Sequence, residues 1–322
     1  MYYIGIDLGG TNIKAGVVDE SGHIVAQAYA KTQAQRPYRD IVRDMAACVT
    51  MSMNHINVTQ NEIAAIGIGI PGLARQNDGS VIFCTNLGWK DIPLRDEMQK
   101  YLNKPVFIDN DATVAGYAES IAGVSKGYPC SVFLTLGTGT GGGIVINGRP
   151  WTGRHGIGSE LGHMTIAALN GVPCSCGNNG CAERYTSASA IIRMAKQACM
   201  TYTGSMMLKL AGGDIERINA KTVFDAAKAG DEIAFSVFDD YCTYLAITIN
   251  NIICTLDPDM VVLGGGVSHA GEFLLENVRK KVPRYLLYKD LPFAEIRLAS
   301  LGNDAGIIGA AMLGRLYHHE GV

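Results

Sequence analysis

The 322 residues are 48% hydrophobic, enough to fill two ordinary cores, and carry a formal net charge of −3. A chain this close to neutral has no basic field for nucleic acid or an anionic membrane. It shows no positively charged leader and no apolar run long enough to span a bilayer, so the cytoplasm is the expected compartment.

Residues 3–11 predict a short apolar strand that ends in a Gly/Thr turn. A strand over 13–18 follows, and after the Ser21-Gly22 turn a third, alternating strand over 23–30. Residues 39–55 are amphipathic and predict a helix, 63–70 a buried strand, 93–102 a shorter helix, and 106–109 a second buried strand leading to a helix over 112–122. The opening plan then repeats. Residues 131–141 predict a strand and a glycine-threonine turn, 142–146 the return strand, and Asn147-Gly148 a hairpin. Helices are expected over 187–198, 222–229 and 232–256, the last one closed by Asp257-Pro258. A buried strand over 260–263 comes next, and a final helix over 305–317 follows the Gly302-Asn303-Asp304 turn. The shared opening of each half predicts two duplicated α/β domains: 1–113 with the returning helix 305–322, and 114–304.

The nine cysteines divide in two. Cys48, Cys84, Cys130, Cys199, Cys242 and Cys254 stand singly in apolar contexts and are expected to be small core residues. Cys174, Cys176 and Cys181, with His163 upstream, have the spacing of a closed tetrahedral Zn²⁺ site. Four protein ligands leave no open position, so such a zinc is structural. Glu160 and Glu183 flank the ligands, and with His163 they suggest a rigid platform for a polyhydroxylated molecule. An odd cysteine count in this compartment argues against a disulfide framework.

Three glycine loops end predicted strands. Asp7 precedes Gly9-Gly10-Thr11-Asn12 and Lys14; Gly137-Thr138-Gly139-Thr140-Gly141 and Gly264-Gly265-Gly266 are the others. Glycine lets backbone N–H groups approach phosphate closely, and an aspartate at such a turn can hold Mg²⁺ through water. Each cluster alone reads more readily as a tight hairpin, and neither the dinucleotide-fold nor the P-loop spacing is present. Three together favour a nucleotide cleft. At Asp109-Asn110-Asp111-Ala112 a buried strand meets a helix, and Asp111 is there either a helix cap or the base that phosphoryl transfer to a hydroxyl needs. Asn110 is a candidate donor to a neighbouring sugar hydroxyl, and Asp109 is expected to solvate the strand end.

The segments Asp7–Thr11, Leu136–Gly141 and Leu263–Gly266 resemble the two phosphate motifs and the adenosine motif of the actin/hexokinase/Hsp70 superfamily. Glu160-Leu161-Gly162-His163 and the Cys174–Glu183 stretch narrow the resemblance to the ROK family of bacterial sugar kinases and repressors. It covers nearly the whole chain, and the cysteine segment with its glutamates is its most specific part. The resemblance implies two RNase H-like domains flanking a nucleotide/sugar cleft, with Asp111 as the catalytic base. Glu160, His163, Glu183 and Asn110 would meet the sugar, and Gly72 and Asn86 would complete its pocket. ATP with Mg²⁺ would lie on the glycine loops, in a homo-oligomer of two or four chains. Residues 183–189 are similar to the glucokinase branch, so glucose is the expected substrate. Fructose, mannose, allose, N-acetylglucosamine and N-acetylmannosamine are the alternatives, and a sugar-responsive repressor is the rival class. Such repressors carry a DNA-binding segment ahead of the first phosphate motif, where this sequence has six residues before Asp7.

Overall fold

The computed structural model describes residues 1–320. Strands β1 (Tyr2–Leu8), β2 (Asn12–Val18) and β3 (Ile24–Lys31) form an antiparallel meander. Leu8 stands opposite Ile13, so the first glycine loop is the β1–β2 turn. Helix α1 (Tyr38–Asn54) buries Ile41, Val42, Met45, Val49 and Met53, the stripe that its 3.6-residue period dictates. Every residue of β4 (Ile63–Ile70) is buried, as expected of a central strand covered on both faces.

A small antiparallel sheet of β5 (Leu73–Arg75), β6 (Ser80–Cys84) and β7 (Trp89–Ile92) follows. The sequence reading did not anticipate it, because strands of three to five mixed residues are too short to show alternation. Then come α2 (Leu94–Gln99), β8 (Val106–Asn110) and α3 (Asp111–Ala122). The first five-stranded sheet has the order β3-β2-β1-β4-β8.

Strands β9 (Cys130–Leu136), β10 (Thr140–Ile146) and β11 (Arg149–Pro150) repeat the meander, with Asn147 and Gly148 both at positive φ in the connecting turn. Helices α4 (Glu183–Thr186), α5 (Ala188–Thr201), α6 (Met206–Leu210), α7 (Ala220–Lys228) and α8 (Glu232–Leu256) follow. Asp231 caps α8 by accepting the Ala234 N–H at 2.7 Å, and Asp257 at φ 42° ends it. The chain closes with β12 (Met260–Gly264), α9 (Glu272–Lys281), β13 (Glu295–Leu298) and α10 (Ala305–Glu320). The second sheet, β11-β10-β9-β12-β13, has the order of the first: third, second, first, fourth and last strand. Both duplicated α/β domains are therefore present.

Close packing of α10 explains the compact units. A Cβ on Gly5 would strike the Ile307 carbonyl, one on Gly67 the Ala310 carbonyl, and one on Gly309 the Val114 carbonyl of α3. The last helix thus lies on the first sheet and carries α3 with it. The first unit comprises Met1–Phe133, Gly143–Ser159 and Ser300–Val322; the second comprises Leu134–Gly142 and Glu160–Ala299. The first unit runs past the expected boundary at residue 113 because α3 is part of its core, through Val114, Tyr117 and Ala118. Cys48, Cys84, Cys199 and Cys242 are buried, whereas Cys130 is half-buried and Cys254 is exposed on α8. An apolar neighbourhood in sequence did not predict which face of that long helix Cys254 occupies. Among the described residues, no helix is long and apolar enough to cross a membrane.

Candidate active site

In the first unit, chemistry-bearing residues sit at the ends of strands. The β1–β2 turn closes on itself, the Gly9 N–H donating to the Asn12 carbonyl at 2.9 Å. Buried Thr32, just after β3, holds the same turn: its hydroxyl donates to the Gly9 carbonyl at 2.6 Å, and its N–H to the Thr11 carbonyl at 2.9 Å. Nothing in the sequence pattern had singled Thr32 out. Asp7 pairs with Lys14 at 3.2 Å and lies against Gly306, where a Cβ would come 2.6 Å from the carboxyl carbon. Lys14 also donates to the Asn303 carbonyl at 3.3 Å. The Asn12 side chain turns instead toward β3 and accepts from Lys31 at 2.9 Å, so its carbonyl, not its amide side chain, shapes the turn. Thr11 is exposed.

At the β8–α3 junction the helix cap is Asn110, not Asp111. The Asn110 Oδ1 accepts the Ala112 and Thr113 N–H groups at 2.9 and 3.3 Å, and its Nδ2 donates to the Gly72 carbonyl at 3.2 Å. Asp111 is the first residue of α3, with Oδ1 on the Ala112 N–H at 2.7 Å. A carboxylate there sits at the positive end of the helix dipole. The capping alternative for Asp111 is thereby removed. Asp109 does not solvate the strand end: it is 4% exposed and accepts from Gln76 Nε2 at 2.6 Å. Burial pushes its pKa up to about 6.

Gly72 and Asn86 fall beside these groups. A Cβ on Gly72 would come 2.8 Å from the Cys84 Cβ, and one on Gly10 would come 3.5 Å from the Asn86 Cβ. The buried Cys84 thiol is raised by desolvation, with the Asp111 charge adding to the shift. Gly10, Gly72, Asn86, Asn110 and Asp111 therefore gather in one neighbourhood. Trp89 is a buried anchor edge-on to Tyr38, and His155 lies in a separate depression with Arg75, Gln76 and Arg154.

In the second unit a knuckle of chain carries the candidate ligands. The Cys174 N–H donates to the Asn178 carbonyl at 2.8 Å and the Gly177 N–H to the Cys174 carbonyl at 3.0 Å, with Gly177 and Gly180 at positive φ. One ligand atom from each of His163, Cys174, Cys176 and Cys181 lies within 4.8 Å of the others. The Cys174 Sγ is 3.7 Å from His163 Nδ1, and the Cys176 Sγ is 3.6 Å from the Cys181 Sγ. A tetrahedron built on usual Zn–S and Zn–N lengths has edges of about 3.6–3.8 Å. The residues fit zinc. The Asn178 N–H lowers the pKa of the Cys176 thiol, whereas burial raises that of Cys181.

Glu160 and His163 share one 3₁₀ turn, the His163 N–H donating to the Glu160 carbonyl at 3.0 Å. Burial raises the Glu160 pKa, offset in part by His163 and reinforced by Glu183. Glu183 does more than the sequence reading gave it. Its Oε1 faces the Cys174 Sγ at 3.6 Å, and its Oε2 accepts the Thr140 N–H at 3.2 Å, joining the Cys₃His knuckle to the second glycine loop. That loop closes through the Gly137 N–H on the Gly139 carbonyl at 2.9 Å. Thr138 is exposed, but Thr140 is buried and its hydroxyl pairs with Thr186 at 3.0 Å. The third loop packs against the second: Gly265, at φ 81°, would place a Cβ 2.6 Å from the Leu136 nitrogen, whereas Gly266 faces open space.

The ROK family model matches residues 3–316. A glucokinase of Halalkalibacterium halodurans is 37% identical over 312 residues, covering 97% of this chain and 94% of the relative. One from Thermotoga maritima is 39% identical, covering 96% of each chain. Among solved structures, a ROK family glucokinase from Streptomyces griseus, in complex with glucose and AMPPNP, has a TM-score of 0.83 at 34% identity, covering 98% of this chain and 100% of the other. With two actin/hexokinase-type domains, strand-end aspartates and a Cys₃His knuckle in place, the chain belongs to the ROK family.

Proposed function

We propose that this protein is an ATP-dependent hexose kinase that transfers the γ-phosphoryl group of ATP to the 6-hydroxyl of glucose. The observation that carries this reading is the near full-length identity of 37–39% to two glucokinases, supported by a 34% identical relative whose structure holds glucose and AMPPNP. Asp111 acts as the base, accepting the 6-hydroxyl proton as the oxygen attacks phosphorus. Asn110, fixed by its capping bonds, and the neighbouring Asn86 and Gly72 orient the sugar. Glu160, His163 and Glu183 accept or donate to further hydroxyls, and such a site rejects analogues that leave its acceptors unpaired.

The loops Gly9-Gly10-Thr11 and Gly137-Thr138-Gly139 receive the phosphates through backbone N–H groups other than those of Gly9 and Gly137, which close the turns, and Gly264-Gly265-Gly266 borders the adenosine. Lys14 and Asp7 remain paired beside the first loop. Magnesium arriving with ATP supplies charge neutralisation at the phosphate oxygens. His163, Cys174, Cys176 and Cys181 hold a zinc ion whose contribution is a rigid joint, which keeps His163 Nε2 and the two glutamates in place. Unoxidised thiols of this kind suit the cytoplasm, where ATP and hexose meet.

The test is ADP release with MgATP against glucose, mannose, fructose, allose, N-acetylglucosamine and N-acetylmannosamine. Glucose is expected to give the highest kcat/KM. A different leading sugar would reassign the specificity of the Glu160–His163–Glu183 platform and leave Asp111 its role.

A further inference from the structure

The second glycine loop is braced by the chain segment that leaves the metal knuckle. Within the second unit, four bonds join residues 183–189 to residues 137–140: the Thr140 N–H to Glu183 Oε2 at 3.2 Å, the Thr140 and Thr186 hydroxyls at 3.0 Å, the Ala188 N–H to the Gly137 carbonyl at 2.7 Å, and the Ser189 hydroxyl to the Thr138 carbonyl at 2.8 Å. Behind them, fully buried Tyr241 on α8 donates to the Thr186 carbonyl at 2.6 Å. The proton arrangement follows from counting. The Thr186 hydroxyl has one proton, and it lies on the Ala182 carbonyl at 2.9 Å. Thr186 can then only accept from Thr140, so the Thr140 hydroxyl donates inward and cannot donate to a phosphate. The loop threonine left to do so is exposed Thr138.

We propose that Thr186 and Tyr241 are positioning residues for MgATP: they hold Thr140 as an internal brace, so that Thr138 and the loop amides are preset for the phosphates. This inference rests on the reading of Gly137–Gly141 as a phosphate loop. It also makes the metal knuckle and the nucleotide site mechanically continuous, since Cys181 lies two residues ahead of Glu183, where the bracing segment begins.

Thr186→Val keeps the shape and removes the acceptor; Thr186→Ser keeps the acceptor; Tyr241→Phe removes the rear support. Loss of one buried hydrogen bond corresponds to about a three- to tenfold change in affinity. Thr186→Val and Tyr241→Phe are expected to raise KM for MgATP, and the Kd for MgADP measured without sugar, by about that factor. Glucose KM should stay within about twofold, bound zinc should be unchanged, and Thr186→Ser should restore the wild-type values. If Thr186→Val does not fold, Tyr241→Phe with the serine variant carries the same comparison. Nucleotide affinity equal to wild type in the variants, or glucose and ATP constants moving together with the melting temperature, would overturn the inference. A wild-type protein that binds MgADP but phosphorylates no hexose would instead overturn the kinase reading.

Discussion

The two halves share a sheet order but place their acidic groups differently. In the first, carboxylates ride on the strand ends themselves: Asp7 near the end of β1, Asp109 at the end of β8, and Asp111 one step into α3. In the second, β9 and β12 run into glycine, Gly137 after β9 and Gly264 closing β12, and the acidic groups Glu160 and Glu183 come from the segment that holds the Cys₃His cluster. A strand end needs no further support, because the sheet fixes it. An irregular loop rich in turns has little core of its own, and on the proposed function a metal ion supplies the missing support. On the proposed function, the same fold builds a reacting group in one half and a binding platform in the other, with different vulnerabilities.

The sharpest way to break this contrast is to remove the metal. Cys181→Ser, or chelation of the wild-type protein, is expected to abolish activity and bound zinc together, with a lowered melting temperature read by calorimetry. Full activity in metal-free protein would show that the platform stands unaided. Next in size is Asp111→Asn, with an expected fall in kcat of about 10²–10⁴-fold. Its folding should be near wild type, because Asn110 and not Asp111 caps α3. A kcat within a few-fold of wild type would remove Asp111 from the chemistry.

The turn after β12 should tolerate no side chain at Gly265. Gly265→Ala meets both a positive φ of 81° and the Leu136 nitrogen at 2.6 Å, and should destabilise by about 3 kcal/mol in denaturant melts. The smallest effect concerns Asp109. Its folded pKa, about 6, lies above the ordinary carboxylate value, so the native state binds the extra proton between about pH 4 and 6. Stability should therefore fall as pH rises through that window, by at most about 3 kcal/mol, and stay at the lower level above it. Asp109→Asn should flatten the slope, and an unchanged slope would assign it to another group.

Long, unambiguous patterns were legible in the sequence: the β4 run Ile63–Ile70 and helix Glu232–Leu256 lie where the apolar residues place them. The ligand spacing of Cys174, Cys176 and Cys181 was legible too, because it is local. What escaped was three-dimensional. Asn110 and Asp111 are both good cap residues, and only the backbone decides between them. Asp109 looks like any polar strand end until Gln76, thirty-three residues away, covers it. Thr32 and Tyr241 support glycine loops distant in the chain, and no periodicity marks them. Glu119 on α3 is fully buried, with its carboxylate accepting from the Val124, Ser300 and Leu301 N–H groups, yet it reads as an ordinary surface glutamate.

The division of labour between the halves is tested most directly by calorimetric titration of glucose into two proteins, zinc-loaded Asp111→Asn and metal-stripped wild type. The account predicts that the variant binds glucose within a few-fold of wild type while turning over almost none, and that the stripped protein binds none. Glucose binding retained without the metal, or lost with Asp111 alone, would contradict it.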